Sequence, residues 1–185
     1  MNNIIAQIIG AVALGMAIIS FQQNTRKKIL LFQLIAGSIF SIHFLLLGAY
    51  TGAALNALSV CRNIIFYNKS KKWASHIHWL FLFIFVSIIV GILTWENIIT
   101  LFAMTGMVLG SVSFWLDNPK YVRRLSFPIS MLWIVYNIVN KSYAGILTEL
   151  FVMSSVIIGI FRFDIKKNKN IATVNTALKD MNSAK

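Results

Sequence analysis

The sequence predicts an all-α integral membrane protein of seven transmembrane helices, and three observations carry that prediction. Seven apolar stretches fill the chain between Asn3 and Phe161. Lysine and arginine collect in every second gap between them. The chain also matches itself at an offset of 93 residues, on either side of one odd helix.

A chain of 185 residues that is 58% hydrophobic, with mean hydropathy +0.75, has too little polar surface to coat a soluble globule. A helix needs about 20 apolar residues to cross roughly 30 Å of hydrocarbon. The spans read 3–21, 29–49, 51–67, 75–94, 97–116, 125–140 and 143–162. The third and sixth are short, so their caps extend into the interface. One membrane domain, 1–162, therefore accounts for almost everything, and 163–185 is a basic polar tail expected in the cytoplasm.

Each element has its own justification. Span 1 follows Met1-Asn2-Asn3, which lacks a positive side chain, and no small-x-small site ends it; it reads as a retained helix, not a signal peptide. Span 2 carries His43 and stops at Tyr50. Span 3 holds Asn56, Ser59, Arg62 and the single cysteine, Cys61, which rules out an intrachain disulfide. Span 4 presents Phe81, Phe83 and Phe85 to lipid or to packing. Trp73, Trp79, Trp95 and Trp115 sit near span ends, as interfacial belts do. His76 and His78 are two residues apart and would face apart on a helix, which argues against a metal site. Span 5 carries Gly106 and Gly110; span 6 has Pro128 near its start, with Pro119 in the loop before it. Span 7 holds Glu149. In the tail, Ile171, Val174, Leu178 and Met181 share one helical face, so the segment is either an amphipathic surface helix or disordered.

The net charge of +12 resembles a nucleic-acid signature until the charges are placed. Arg26, Lys27 and Lys28 follow span 1, Lys69, Lys71 and Lys72 follow span 3, and Lys120, Arg123 and Arg124 follow span 5. Arg162, Lys166, Lys167 and Lys169 follow span 7, whereas the opposite side has only Lys141. The positive-inside bias puts the N-terminus outside and the C-terminus in the cytoplasm. Basic loops against an anionic leaflet explain the charge, and no nucleic-acid partner is expected.

An offset of 93 superposes Ser20-Phe21 on Ser113-Phe114 and Lys27 on Lys120, and Tyr50-Thr51-Gly52 on Tyr143-Ala144-Gly145. The matches fall at corresponding helix ends. Repeat one is 3–67, the linker helix is 75–94, and repeat two is 97–162. An odd linker helix gives both repeats the same orientation, a 3+1+3 plan with parallel three-helix repeats.

The block His43-Phe44-Leu45-Leu46-Leu47-Gly48-Ala49-Tyr50, with Gly52-Ala53 and Arg62, resembles the first-half signature of the YgjV-type bacterial inner-membrane family. Trp133, Asn137, Ser142, Gly145, Glu149 and Arg162 extend the resemblance through the second half. More distantly the chain resembles the SWEET and PQ-loop group, although spans 1 and 5 lack that group's hinge proline and carry Gly10, Gly15, Gly106 and Gly110 instead. The SWEET resemblance implies a substrate site between the repeats. It also implies a polar residue on the third helix of each, here Asn56 and Glu149, with Ser59 one turn further on.

Ionisable side chains in hydrocarbon cost roughly 2.5–3.5 kcal/mol each even on lenient scales, so each needs a reason. His43, Asn56, Asn137 and Glu149 each lie six or seven residues from an outer loop, about 9–11 Å deep at 1.5 Å per residue. They form one polar layer drawn from both halves. Asn56, Asn137 and Tyr136 would hydrogen-bond a small polar solute; Glu149 and His43 would orient it or hold a proton or cation. Trp133 lies deep enough to line such a cavity or to pack in the core. Arg62 has three readings: a ligand contact, a structural pair with Glu149, or a side chain snorkelling to the cytoplasmic face.

Only Glu149 among the five acids lies inside a span, and the chain carries no Gly-x-Ser-x-Gly elbow, His-Glu-x-x-His helix or phosphate-cradling glycine loop. An enzyme is therefore not expected, nor a cofactor. The leading expectation is a small-solute transporter or solute-binding protein of the bacterial inner membrane. The alternative is a non-transporting receptor or a structural partner of a membrane complex. A homodimer is compatible with either. The orientation is directly testable in a C61A background: K141C should react with an impermeant thiol reagent in intact cells, and K71C only after the membrane is opened. The reverse pattern would invert the topology.

Overall fold

The computed structural model describes residues 2–161, so the tail and Arg162 lie outside the described residues. Seven α-helices follow one another: α1 (Asn2–Phe21), α2 (Arg26–Leu47), α3 (Tyr50–Tyr67), α4 (His78–Leu93), α5 (Thr100–Trp115), α6 (Pro119–Val139) and α7 (Tyr143–Gly159). A short 3₁₀ turn, Lys72–Ala74, precedes α4, and no strand occurs among the described residues.

Of the expected boundaries that move, two do so for identifiable reasons. α6 begins at Pro119, six residues before the expected 125. Asn118 caps it by accepting from the Lys120 N–H at 3.0 Å, and Pro119 takes the first helical position, where its missing donor costs nothing. Lys120, Arg123 and Arg124 thus ride on the helix and not in a loop, since charge does not stop a helix. α4 begins at His78, because Ser75, His76 and Ile77 form the connection after the 3₁₀ turn. Seven spans of near-bilayer length were expected; by length and composition α1 (from Ile4) and α2 qualify, whereas the apolar helices α4, α5 and α7 are 16, 16 and 17 residues long.

The connections after α2 and α6 share one geometry. Gly48 adopts φ 75°, its N–H bonds the Leu45 carbonyl, and the Ala49 N–H bonds the Phe44 carbonyl. Ninety-three residues on, Lys141 adopts φ 52°, its N–H bonds Ile138, and the Ser142 N–H bonds Asn137. Both are Schellman caps, which need a left-handed residue after the helix. Glycine meets that need without strain; Lys141 does not.

Packing closes six helices into a ring in the order α1, α2, α3, α5, α6, α7, with α7 returning to α1. α4 lies outside the ring against α3 and α5. Contacts at both ends fix the directions. Gln7 of α1 meets Ala144 of α7 at one end, and Gln22 meets Ser155 at the other. Lys69, just after α3, bonds the Trp115 carbonyl at the end of α5 at 2.8 Å and pairs with Asp117 at 3.0 Å. α1 therefore runs parallel to α7, and α3 to α5.

The surface is apolar and the interior carries much of the polarity. Ile4, Ile8, Phe81, Phe85, Leu93 and Ile98 are exposed, whereas His43, Thr51, Arg62, Asn63, Ser111 and Asn137 are buried. That inverts the usual distribution of a water-soluble protein. The two Schellman positions give a paired expectation. Gly48→Ala should lower the unfolding free energy in detergent by about 1 kcal/mol, and Lys141→Gly should raise it by a similar amount. Equal small effects of the same sign would show that the left-handed geometry is not retained.

Candidate functional site

The site is built from two layers, a set of crossed hydrogen bonds at the Tyr50 end of the ring and a cavity beneath it. The crossed bonds answer a specific need. The first N–H groups of α3 and α7 have no partner within their own helices. For α7, the Ala144 N–H donates to Gln7 Oε1 at 2.8 Å, reaching across to α1. For α3, the Thr51 N–H donates to Glu96 Oε1 at 2.9 Å, from the segment before α5. Thr51 and Ala144 are 93 residues apart, and each is capped from the opposite half of the chain. A carboxylate at a helix N-terminus adds favourable charge as well.

His43 and Tyr136 belong to this layer. The Ala6 carbonyl can only accept, so His43 Nδ1 donates to it at 2.7 Å. Ser142 Oγ accepts from the Gly145 N–H at 3.2 Å and meets His43 Nε2 at 2.8 Å. His43 on α2 thereby holds the cap of α7 and the wall of α1. Tyr136 on α6 accepts from the Gly52 N–H at 2.8 Å, so it holds the start of α3 in the same crossed manner. Gly10 makes the close approach of α1 possible, because a Cβ there would stand 2.5 Å from Ala144 Cβ and 2.8 Å from His43 Nδ1.

Below this layer lies a cavity of about 120 Å³, lined from all six ring helices and by no residue of α4. Its lining comes largely in pairs 93 residues apart: Ala17 with Gly110, Phe21 with Phe114, Phe40 with Trp133, Asn56 with Glu149. Asn56, Ser59, Arg62, Trp133, Asn137 and Glu149 all line it; His43 and Tyr136 do not, being sealed in the crossed layer above. Trp133 forms one wall, stacked on Phe44 at 6.2 Å and edge-on to Tyr136 at 5.7 Å. Phe21 and Phe114, both buried, border the opposite, basic end.

The polar groups differ in how far the protein satisfies them. Asn56 Nδ2 bonds its own helix at Gly52 O, 2.9 Å, and Ser59 bonds Asn56 O at 2.7 Å. Glu149 is half-buried and borders the void. Asn137 Oδ1 is buried and has no partner. The expected structural pair of Arg62 with Glu149 does not form. Arg62 instead bonds Ser111 Oγ at 3.1 Å, Met107 Sδ at 3.3 Å and Asn63 Oδ1 at 3.2 Å, and its guanidinium lies 5.2 Å from the Phe114 ring centre. Nor does it snorkel, since it is only 3% exposed. The physical reason is proximity: Ser111 and Met107 on the neighbouring α5 are nearer than Glu149 on α7.

Sequence reasoning passed over Gln33, Ser126, Ser130 and Thr148, all of which line the cavity. A signal for two of them was present. Ser126, Ser130, Trp133 and Asn137 follow one another at intervals of four, three and four, a single stripe of α6. Gln33, Gly37, Phe40 and Phe44 form the same stripe on α2. No group of three or more potential metal ligands occurs among the described residues.

The profile of Imp-YgjV, described as a bacterial inner membrane protein, matches residues 4–167. The chain belongs to this family. No curated protein and no solved structure matches it. Family membership places the exposed apolar belt against the lipid of a bacterial inner membrane.

The crossed layer yields a test. Tyr136→Phe removes one hydroxyl and leaves the Gly52 N–H without its acceptor, which should cost about 1–3 kcal/mol of stability in detergent. Gln7→Ala should act similarly through Ala144, whereas Tyr121→Phe, at an exposed position, should be neutral. Equal midpoints for all three would remove the crossed layer as a stabilising element.

Proposed function

We propose that the protein is a multi-pass inner-membrane carrier or binding protein for a small polar solute, held in the cavity between two parallel three-helix units, α1–α3 and α5–α7. One observation carries this reading: a cavity bordered by several buried polar groups, inside an apolar-coated bundle, draws its walls from both halves, at positions 93 residues apart. Buried polarity of this kind is expensive in lipid and marks solute pathways.

Several observations support the two-unit plan. α2 and α6 begin 93 residues apart, as do α3 and α7. The buried Ser20 hydroxyl bonds the Ile29 carbonyl, and Ser113, 93 residues on, bonds Val122. The packing partners also exchange consistently, since α1 meets α7 as α5 meets α3. Sites between repeats, with rocking of one unit against the other, are the common pattern for such folds. With the basic connections at one end, the Tyr50 end faces outward and the Phe21 and Phe114 end faces the cytoplasm. The crossed hydrogen bonds then close the outer mouth and the two phenylalanines the inner one, an occluded arrangement.

A second reading, a receptor or scaffold that carries nothing across, draws support from the small cavity. Its volume falls well below the roughly 300–1,000 Å³ of drug-sized sites. The two readings separate by ligand stabilisation of the purified protein against sugars, nucleosides, amino acids and cations, beside Glu149→Gln. A solute at about 100 times its Kd should add about 2.7 kcal/mol to the folded state. Stabilisation that disappears in Glu149→Gln is the expected result; the absence of any stabilising solute would move the assignment to the receptor or scaffold.

A further inference from the structure

We infer that the cavity takes a small zwitterion, its ammonium against Glu149 and its carboxylate against Arg62. The inference rests on the solute-binding reading above and narrows it to a class of ligand. Among the described residues lining the cavity, Arg62 is the one cation and Glu149 the one carboxylate, and they make no contact with each other. Two opposite charges thus border one void from opposite halves of the chain.

Counting donors shows what Arg62 has left. A guanidinium carries five N–H groups. Nε and one hydrogen of Nη2 go to Asn63 Oδ1, and the two hydrogens of Nη1 go to Ser111 and Met107. One Nη2 hydrogen remains. Every partner is neutral, including the Phe114 ring, so the positive charge is uncompensated in a buried setting, where a lone charge is strongly unfavourable. The complementary lack stands at the other end. Glu149 borders the void, pairs with no cation among the described residues and offers several acceptor sites. One end of the cavity wants donors and the other wants an acceptor with negative charge.

The spacing fits a bridging molecule better than a direct pair. α3, α5 and α7 run the same way, and α5 and α7 begin at Thr100 and Tyr143. Arg62 Nη1 is held between Met107 and Ser111, seven and eleven residues into α5, which is about 10–17 Å from the Tyr50 end. Glu149 is six residues into α7, about 9 Å deep. The guanidinium is therefore roughly 5 Å deeper than the Glu149 backbone, and the two side chains come from helices that are not neighbours in the ring. An amino acid with ammonium and carboxylate a few bonds apart spans about 3–4 Å, and a hydrogen bond of about 3 Å at each end brings the total to about 9–10 Å. The cavity volume of about 120 Å³ limits any side chain to a small one. A neutral polyol would leave both buried charges uncompensated; a zwitterion neutralises both.

The test uses the full chain, purified in detergent, with calorimetric and thermal-shift titration of matched probes. Glycine, alanine and β-alanine carry both charges, glycinamide only the ammonium, propionate only the carboxylate, and glycerol neither. On wild-type protein at least one zwitterion should bind about tenfold or more tightly than any single-charge probe or glycerol. Glu149→Gln should bring the zwitterion down to the affinity of propionate, and Arg62→Lys, which keeps the charge and loses the fork, should weaken it less than Arg62→Gln. The probe series on wild type stands even where a variant does not fold. A sugar, nucleoside or glycerol binding as tightly as every zwitterion would overturn this inference and leave solute binding intact. Zwitterion affinity unchanged in a folded Glu149→Gln protein would overturn it as well. No stabilisation by any solute would sink the solute-binding reading and this inference together.

Discussion

The arrangement depends on how the buried starts of α3 and α7 satisfy their backbone donors. A helix leaves its first N–H groups without partners inside itself, and the Ser142 cap of α7 meets only that of Gly145. In both helices one is met from the opposite half of the chain, Thr51 by Glu96 and Ala144 by Gln7. His43 and Tyr136 repeat the pattern one layer further in, toward Ser142 and Gly52. These bonds tie α1 to α7 and the α5 approach to α3, the two seams at which the ring would otherwise open. A cavity can exist beneath them because the seams are held by polar contacts at the end and not by side chains filling the centre.

The interior then has an unusual division of labour. Residues that satisfy each other sit at the Tyr50 end, and residues that remain partly unsatisfied sit below. Arg62 keeps a spare donor, Asn137 a spare acceptor, and Glu149 a carboxylate bordering the void. In a bundle whose only purpose was to hold together, Asn56 and Glu149 would be cheaper as apolar residues, since buried charge is weak evidence for stability. The basic end is closed differently, by Phe21 and Phe114 and by straps from Lys69 and Arg26 to the last turn of α5. Aromatic side chains close one end and hydrogen bonds the other, two closures of different chemistry.

Much of this was legible in the sequence. Apolar stretches located seven helices because hydrophobicity is the primary signal for them, and most boundaries fell within a few residues. The start of α6 was missed because Lys120, Arg123 and Arg124 look like a loop, although Asn118-Pro119 is the stronger mark and sets the helix start. The polar residues flagged as candidates were the costly ones, and six of the eight border the cavity. Ser126, Ser130 and Thr148 were overlooked because a serine or threonine in an apolar helix is cheap and usually bonds its own backbone, as Ser126 and Thr148 do here.

Composition and pattern by themselves determined the helical class and the existence of a polar interior, because each is a one-dimensional property of the chain, and the family resemblance was carried by the His43–Tyr50 block with Asn137, Gly145 and Glu149. The pattern also placed Asn56 and Glu149 at one depth, six residues into α3 and α7, since depth along a helix is a count of residues. Asn137, two residues from the end of α6, and His43, bonded to Ser142, lie higher than the same count implied. Depth does not give azimuth. Only the tertiary structure decided that His43 and Tyr136 turn into the crossed layer while Asn137 and Glu149 border the void. It also decided that Arg62 goes to Ser111 and Met107 and leaves Glu149 across the cavity. The reason is that a side chain's partner depends on which neighbouring helix stands closest, and that is settled by how the ring closes.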